Sequence, residues 1–119
     1  MDNNTTVEEL KNKVKKFCEA RDWDQFHNPK ELAIGMSTEA NELLQIFRFK
    51  NEQDMKEFMS SDRKLEAEEE LADLVYFALR FAQMNNIDLT TAIENKMKKN
   101  DNKYPVEKAK GSNKKYNEF

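Results

Sequence analysis

Between Leu32 and Phe47 the apolar residues return every three or four positions. Leu32, Met36, Ala40, Leu43, Ile46 and Phe47 fall on one arc of a helix wound at about 100° per residue. Glu39 lies inside that arc, between Leu43 and Ile46, and Glu42 sits on its edge. A second stretch repeats the anomaly: the run from Leu71 to Ala82 is apolar nearly all round apart from Asp73 and Arg80. Around its axis Glu70 falls between Phe77 and Phe81, with Asp73 displaced by about 60°. Each helix therefore carries an acid pair at i and i+3, whose Cβ atoms are neighbours at about 5–6 Å. Ionised carboxylates turned towards an apolar interior are costly unless a positive charge meets them. The inward arcs of the two helices hold neither Lys nor Arg, so the expected partner is a hard divalent cation. Mg²⁺, or Mn²⁺ in its place, takes oxygen ligands and commonly shares its coordination with substrate phosphates.

The rest of the chain suits an all-α fold. Two Gly and two Pro in 119 residues leave little material for tight turns, and 36% charged against 38% hydrophobic residues matches amphipathic helices. Eight Phe supply collapse with a driving force that a disordered chain lacks. The length predicts one domain with a single core. A net charge of -3 does not favour nucleic acid. Cys18, the single cysteine, sits at helical spacing from Val14 and reads as a buried structural thiol. The first residues, MDNNTTVEELKNK, hold no apolar leader, and no window reaches the length of a membrane span, so a cytoplasmic location is expected.

Thr6 with Glu9 predicts the start of a first helix running to about Arg21. Asn28-Pro29 starts a second, to about Phe49. Asn51 to Asp62 reads as either a short helix or a loop anchored by Met55, Phe58 and Met59. Ser61 or Asp62 is placed to cap a third helix from about Arg63 to Asn85, and Asp88 caps a fourth containing Leu89, Ala92, Ile93 and Met97. Tyr104-Pro105 closes the pattern. The expected domain is residues 1–106, followed by a Lys-rich tail, 107–119, that is mobile or lies on a neighbouring subunit. No Glu-x-x-His motif of a di-iron bundle is present, and His27 lies outside the helices. Glu66, Glu68 and Glu69 read as solvent-face and helix-dipole charges.

Three blocks together resemble a known family. E39-A-N-E42 followed by E70-L-A-D73 resembles the ExxE…ExxD signature of the MazG-like all-α nucleoside triphosphate pyrophosphohydrolases. R21-D-W-D-Q-F-H-N-P29 is similar to the segment before the first acid pair in the dCTP pyrophosphatase branch, and K96-M-K-K-N100-D-N-K103-Y-P105 to the family's K…N..KYP ending. The likeness spans about Val14 to Gly111. It implies hydrolysis of a nucleoside triphosphate, of deoxycytidine type, to monophosphate and pyrophosphate in nucleotide-pool house-cleaning. It implies Glu39, Glu42, Glu70 and Asp73 as catalytic residues and Mg²⁺ ligands, with one acid, such as Glu42, as the base for water. Trp23 and His27, with Asp24, Gln25 and Phe26, would form the nucleotide pocket, and Lys96, Asn100, Lys103 and Tyr104 would contact phosphate. Phe49 stands where that branch has Trp and Phe77 where it has Tyr, which keeps aromatic stacking but removes two hydrogen-bond donors. Thr38 and Asn41 stand where glycines are usual beside the first acids. The likeness further implies a four-to-five-helix bundle completed as a homodimer or homotetramer, with sites at the subunit interface.

Other readings of single residues stand beside these. Trp23 would also suit the edge of a core, His27 a loop residue bonded to backbone, and Lys96, Lys98 and Lys99 a solvated C-terminal turn. Rival functions are the same fold acting on dUTP, a modified nucleotide or phosphoribosyl-ATP, and a non-catalytic helical scaffold.

Overall fold

The computed structural model describes residues 1–119, which fold into six α-helices and no strand. These are α1 (Val7–Glu19), α2 (Pro29–Phe47), α3 (Glu52–Met59), α4 (Lys64–Met84), α5 (Leu89–Lys103) and α6 (Val106–Ala109). No helix is long and apolar enough to cross a membrane. The chain divides into two compact units, Met1–Asn86 and Ile87–Phe119.

Local chemistry accounts for most helix starts. Thr6 Oγ1 accepts from Glu9 N at 3.1 Å, Asn28 Oδ1 from Glu31 N at 2.9 Å with Pro29 next in the chain, and Asp88 Oδ1 from Thr91 N at 2.8 Å. Each bond satisfies a backbone donor that the first turn leaves unpaired. Within residues 51–62 a short helix forms, Glu52–Met59, because Asn51 and Asp54 cap its start reciprocally. The start of α4 departs from expectation: Arg63 occupies the cap position without a side-chain bond. Ser61 instead closes the preceding turn, donating to Phe58 O at 2.7 Å and accepting from Arg63 N.

In the first unit α4 packs against both α1 and α2. Leu32 and Cys18 are fully buried, joined by Leu79, Ala82, Ala67 and Phe58. Burial of Leu32 alone is worth about 1.5–3 kcal/mol. Phe58 anchors α3 by an edge contact to Phe47, with Lys50 and Arg63 over its ring. Gly35 sets the spacing of α2 and α4: a Cβ built there would lie 2.7 Å from the Phe77 ring. The helices run antiparallel, because Gly35 meets Phe77 while Glu39, one turn on, meets Asp73, one turn back.

In the second unit α5 ends at Tyr104, and the chain continues beyond Tyr104-Pro105 into α6 and a 3-10 turn, Tyr116–Glu118. Tyr116 and Phe119 place their ring edges on Tyr104, with centroids 6.1 and 5.9 Å away.

Candidate active site

The register set by Gly35 and Phe77 delivers the acids to one place. Glu39 from α2 and Glu70 and Asp73 from α4 each offer a carboxylate oxygen, and the three oxygens lie within 4.8 Å of one another. Glu39 and Glu70 are half-buried and Asp73 is exposed, so the group is rooted between helices and open on one side. Oε2 of Glu39 and Oε2 of Glu70 are shielded from solvent and have no hydrogen-bond partner. Buried oxygens in that condition are rare, because each forfeits its hydration without replacement.

The acids also disturb one another. The carboxylates of Glu42 and Glu39, followed by burial, raise the Glu70 carboxyl to about 7. Burial, then mainly the Glu42 carboxylate, raises that of Glu39. Crowded like charges that cannot all ionise suit a site built for a cation. Glu39, Glu70 and Asp73 could coordinate a divalent metal, and the two orphaned oxygens fit that donor set. Glu42 is exposed and acts on Glu70 chiefly by carboxyl–carboxyl hydrogen bonding, with like charge the smaller cause.

The expectation that the inward faces hold no cation is overturned by Arg80, which is 1% exposed. Its charge nevertheless goes elsewhere. Nη2 donates to Asp24 Oδ1, Nε to His27 Nδ1 at 2.9 Å, and Nη1 to Gln83 Oε1 at 2.6 Å. The acid cluster keeps its need for a positive partner.

A cavity of about 500 Å³ adjoins the cluster, lined by Lys13, Val14, Phe17, Trp23, Ala72, Asp73 and Tyr76. Asp73 belongs to both the cavity wall and the acid group. Trp23 stands edge-on to Phe17 at 5.8 Å, and Phe17 edge-on to Tyr76 at 6.0 Å. The Tyr76 hydroxyl is already paired, 3.0 Å from the buried Cys18 Sγ. Burial, then the Cys18 contact, pushes that phenol above its ordinary pKa.

The remaining sequence-predicted residues divide by position. Trp23 lines the cavity, whereas Asp24 and His27 turn to Arg80, and Gln25 Nε2 donates to the carbonyl and carboxylate of Asp22 at 3.1 Å. Phe26 is exposed. Phe77 lies against Gly35 and outside the cavity lining; its neighbour Tyr76 takes the place on the wall. Phe49 follows the end of α2, almost fully exposed, with the Arg48 guanidinium over its ring. Lys96, Asn100, Lys103 and Tyr104 form one stripe along α5 in the second unit, where Lys103 Nζ stands 4.9 Å from the Tyr116 ring centre. Sequence reasoning missed Lys13, Phe17, Tyr76, Arg80 and Gly35. Arg80 had a signal, a lone cation in an apolar run; Tyr76 had none beyond its adjacency to Phe77.

With this geometry in place, comparison with known proteins is informative. The sequence model of the MazG-like family matches residues 34–119. The chain belongs to the MazG-like family. It is 32% identical over 115 residues to dCTP pyrophosphatase 1 of Homo sapiens, a match covering 96% of this chain and 68% of that protein. The protein of the same name from Mus musculus is 30% identical over an equal span. Among solved structures, a pyrophosphatase from Archaeoglobus fulgidus aligns with a TM-score of 0.77 and 37% identity, covering 82% of this chain and 91% of its own. These matches place the chain with the dCTP pyrophosphatase branch of the family.

Proposed function

We infer that the protein is a Mg²⁺-dependent nucleoside triphosphate pyrophosphohydrolase acting on a dCTP-like substrate. The observation that carries the reading is the pairing of two orphaned, shielded carboxylate oxygens with an aromatic cavity that shares Asp73 with them. A polyphosphate bound with metal would meet the acids while its base enters the cavity lined by Trp23, Phe17 and Tyr76. Glu39, Glu70 and Asp73 would hold Mg²⁺, which when bound neutralises phosphate charge and activates water. Glu42, the exposed acid beside Glu70, would orient or deprotonate the attacking water. Attack at the α-phosphorus breaks its bond to the bridging oxygen and yields nucleoside monophosphate and pyrophosphate. Within the second unit, Lys96, Asn100, Lys103 and Tyr104 stand as candidate phosphate-binding residues.

The reading includes a homodimer or homotetramer that completes the bundle and the site. Apolar side chains left open on the central helices, Leu44, Leu71 and Val75 among them, support it. A panel of deoxynucleoside and ribonucleoside triphosphates with Mg²⁺, analysed for every product, tests the function. Monophosphate and pyrophosphate in equal amounts are expected, fastest with dCTP. Orthophosphate with a diphosphate would refute the reaction, and no turnover of any member would favour the scaffold.

A further inference from the structure

We propose that Arg80 is a positioning residue that fixes the Trp23 loop, and hence the nucleotide-facing wall of the cavity, to the central helix. The inference rests on the pyrophosphohydrolase reading for its kinetic consequence but not for its structural one.

The segment between α1 and α2 is tied at its start by Trp23 N, which donates to Cys18 O at 3.1 Å, and by the edge contact of Trp23 with Phe17, and from Asp24 to His27 by Arg80. Trp23 is 37% and Phe26 60% exposed, and Asp22 takes a left-handed conformation with φ 55°. Such a segment gains little from apolar burial, so polar ties decide where it sits. Arg80 supplies two of them from a fully buried guanidinium, one to each end of the 3-10 turn that follows Trp23: Asp24 at its start and His27 just past its end. A planar fork with donors at fixed angles sets both position and orientation, which a lysine ammonium does not. Gln83, one turn along α4, accepts from the remaining nitrogen and holds the fork in its plane.

Energetics point the same way. Removing a guanidinium from water is costly, and replacing a buried ion pair with apolar side chains is often neutral for stability. A bundle seeking only stability would place Leu there, as the neighbouring Leu79 and Ala82 illustrate. Arg80 also defines the imidazole. Donation from Nε to Nδ1 assigns the neutral ring with its proton on Nε2, leaving His27 one fixed donor for an acceptor such as a phosphate or carbonyl oxygen. Burial and the adjacent Arg80 charge keep the ring neutral.

Trp23 is the single tryptophan, so its emission reports the loop without any substrate. Arg80→Met keeps the apolar stem and removes the fork, and Asp24→Asn weakens one tie while leaving the core untouched. The measurements on full-length protein are acrylamide quenching of Trp23, calorimetry with Mg²⁺ alone, and KM and kcat for the best triphosphate of the panel. In both variants Trp23 is expected to become more quenchable and its emission to shift red. KM should rise by about tenfold in Arg80→Met, less in Asp24→Asn, with Mg²⁺ affinity and kcat within about twofold of the parent. Unchanged quenching and KM in a folded Arg80→Met would overturn the proposal. So would a parallel loss of Mg²⁺ binding, which would assign Arg80 to general packing of α4. If the parent turns over no nucleotide, the enzymatic reading fails while the quenching result still decides the role of Arg80.

Discussion

Replacing Gly35 by Ala should damage the acid cluster more than the fold. The new Cβ would lie 2.7–2.8 Å from three carbons along one edge of the Phe77 ring, whereas ordinary contact begins at 3.4 Å. The overlap of about 0.7 Å has to be relieved by turning the ring or by moving α2 away from α4. Overpacking of this kind costs about 1–3 kcal/mol, and Ala in place of Gly within a helix returns about 0.5–1 kcal/mol. The net destabilisation is therefore expected between nothing and about 2.5 kcal/mol. Glu39 lies one helical turn from Gly35, and Asp73 one turn from Phe77, so a shift of even half the overlap reaches the clustered carboxylate oxygens. Metal sites tolerate departures of only about 0.2 Å in ligand distance. Calorimetric titration with Mg²⁺ beside thermal unfolding separates the two effects. The prediction is a Mg²⁺ affinity lowered by about tenfold or more in a protein that still unfolds cooperatively. A Gly35→Ala variant that gains the full helix-propensity benefit and binds Mg²⁺ like the parent would refute the claim that close approach at Gly35 sets the site.

Further outcomes follow from the same geometry. Glu39→Gln and Asp73→Asn should each lower turnover by more than about a hundredfold, since loss of even an outer contact to a metal ligand costs about 10–100-fold, with far-UV dichroism unchanged. Trp23→Ala should chiefly raise KM; loss of the fold instead would make Trp23 a core residue. Glu70 is raised to about 7 in the folded chain, so the folded state binds more protons than the unfolded state between the ordinary carboxyl range and that value. Its contribution to the stability of metal-free protein is favourable at low pH and falls as pH rises through 7. His27, lowered by burial, works in the opposite sense below 6.5, so the difference between parent and Glu70→Gln melting curves isolates the acid. The parent should lose stability relative to Glu70→Gln as pH rises from 5 to 8, and saturating Mg²⁺ should narrow that gap.

The sequence made the helices legible wherever a side chain caps its own turn or an apolar stripe repeats. Thr6, Asn28 and Asp88 all act where their local pattern places them. It was silent where a start depends on a neighbouring turn, as at Arg63, where Ser61 serves the end of α3. The acid cluster was legible because charge within an apolar arc is expensive at whatever register the helices pair. Which residues would wall the adjoining cavity was not, because that depends on how α1 and the Trp23 loop pack on α4, and none of the lining comes from α2. The antiparallel register of α2 and α4 turns Phe77 to Gly35, and the wall falls to Tyr76. Arg80 shows the limit of reading one helix at a time: its buried charge is explained only by Asp24 and His27, more than fifty residues away in sequence.

The position of a bound divalent ion is the most direct test of the acid cluster. Anomalous diffraction from crystals grown with Mn²⁺ and a non-hydrolysable triphosphate should place a peak about 2.0–2.2 Å from carboxylate oxygens of Glu39, Glu70 and Asp73, with phosphate oxygens completing the shell. Crystals that hold the nucleotide yet show those three side chains spread into solvent around no peak would contradict the reading of these acids as metal ligands.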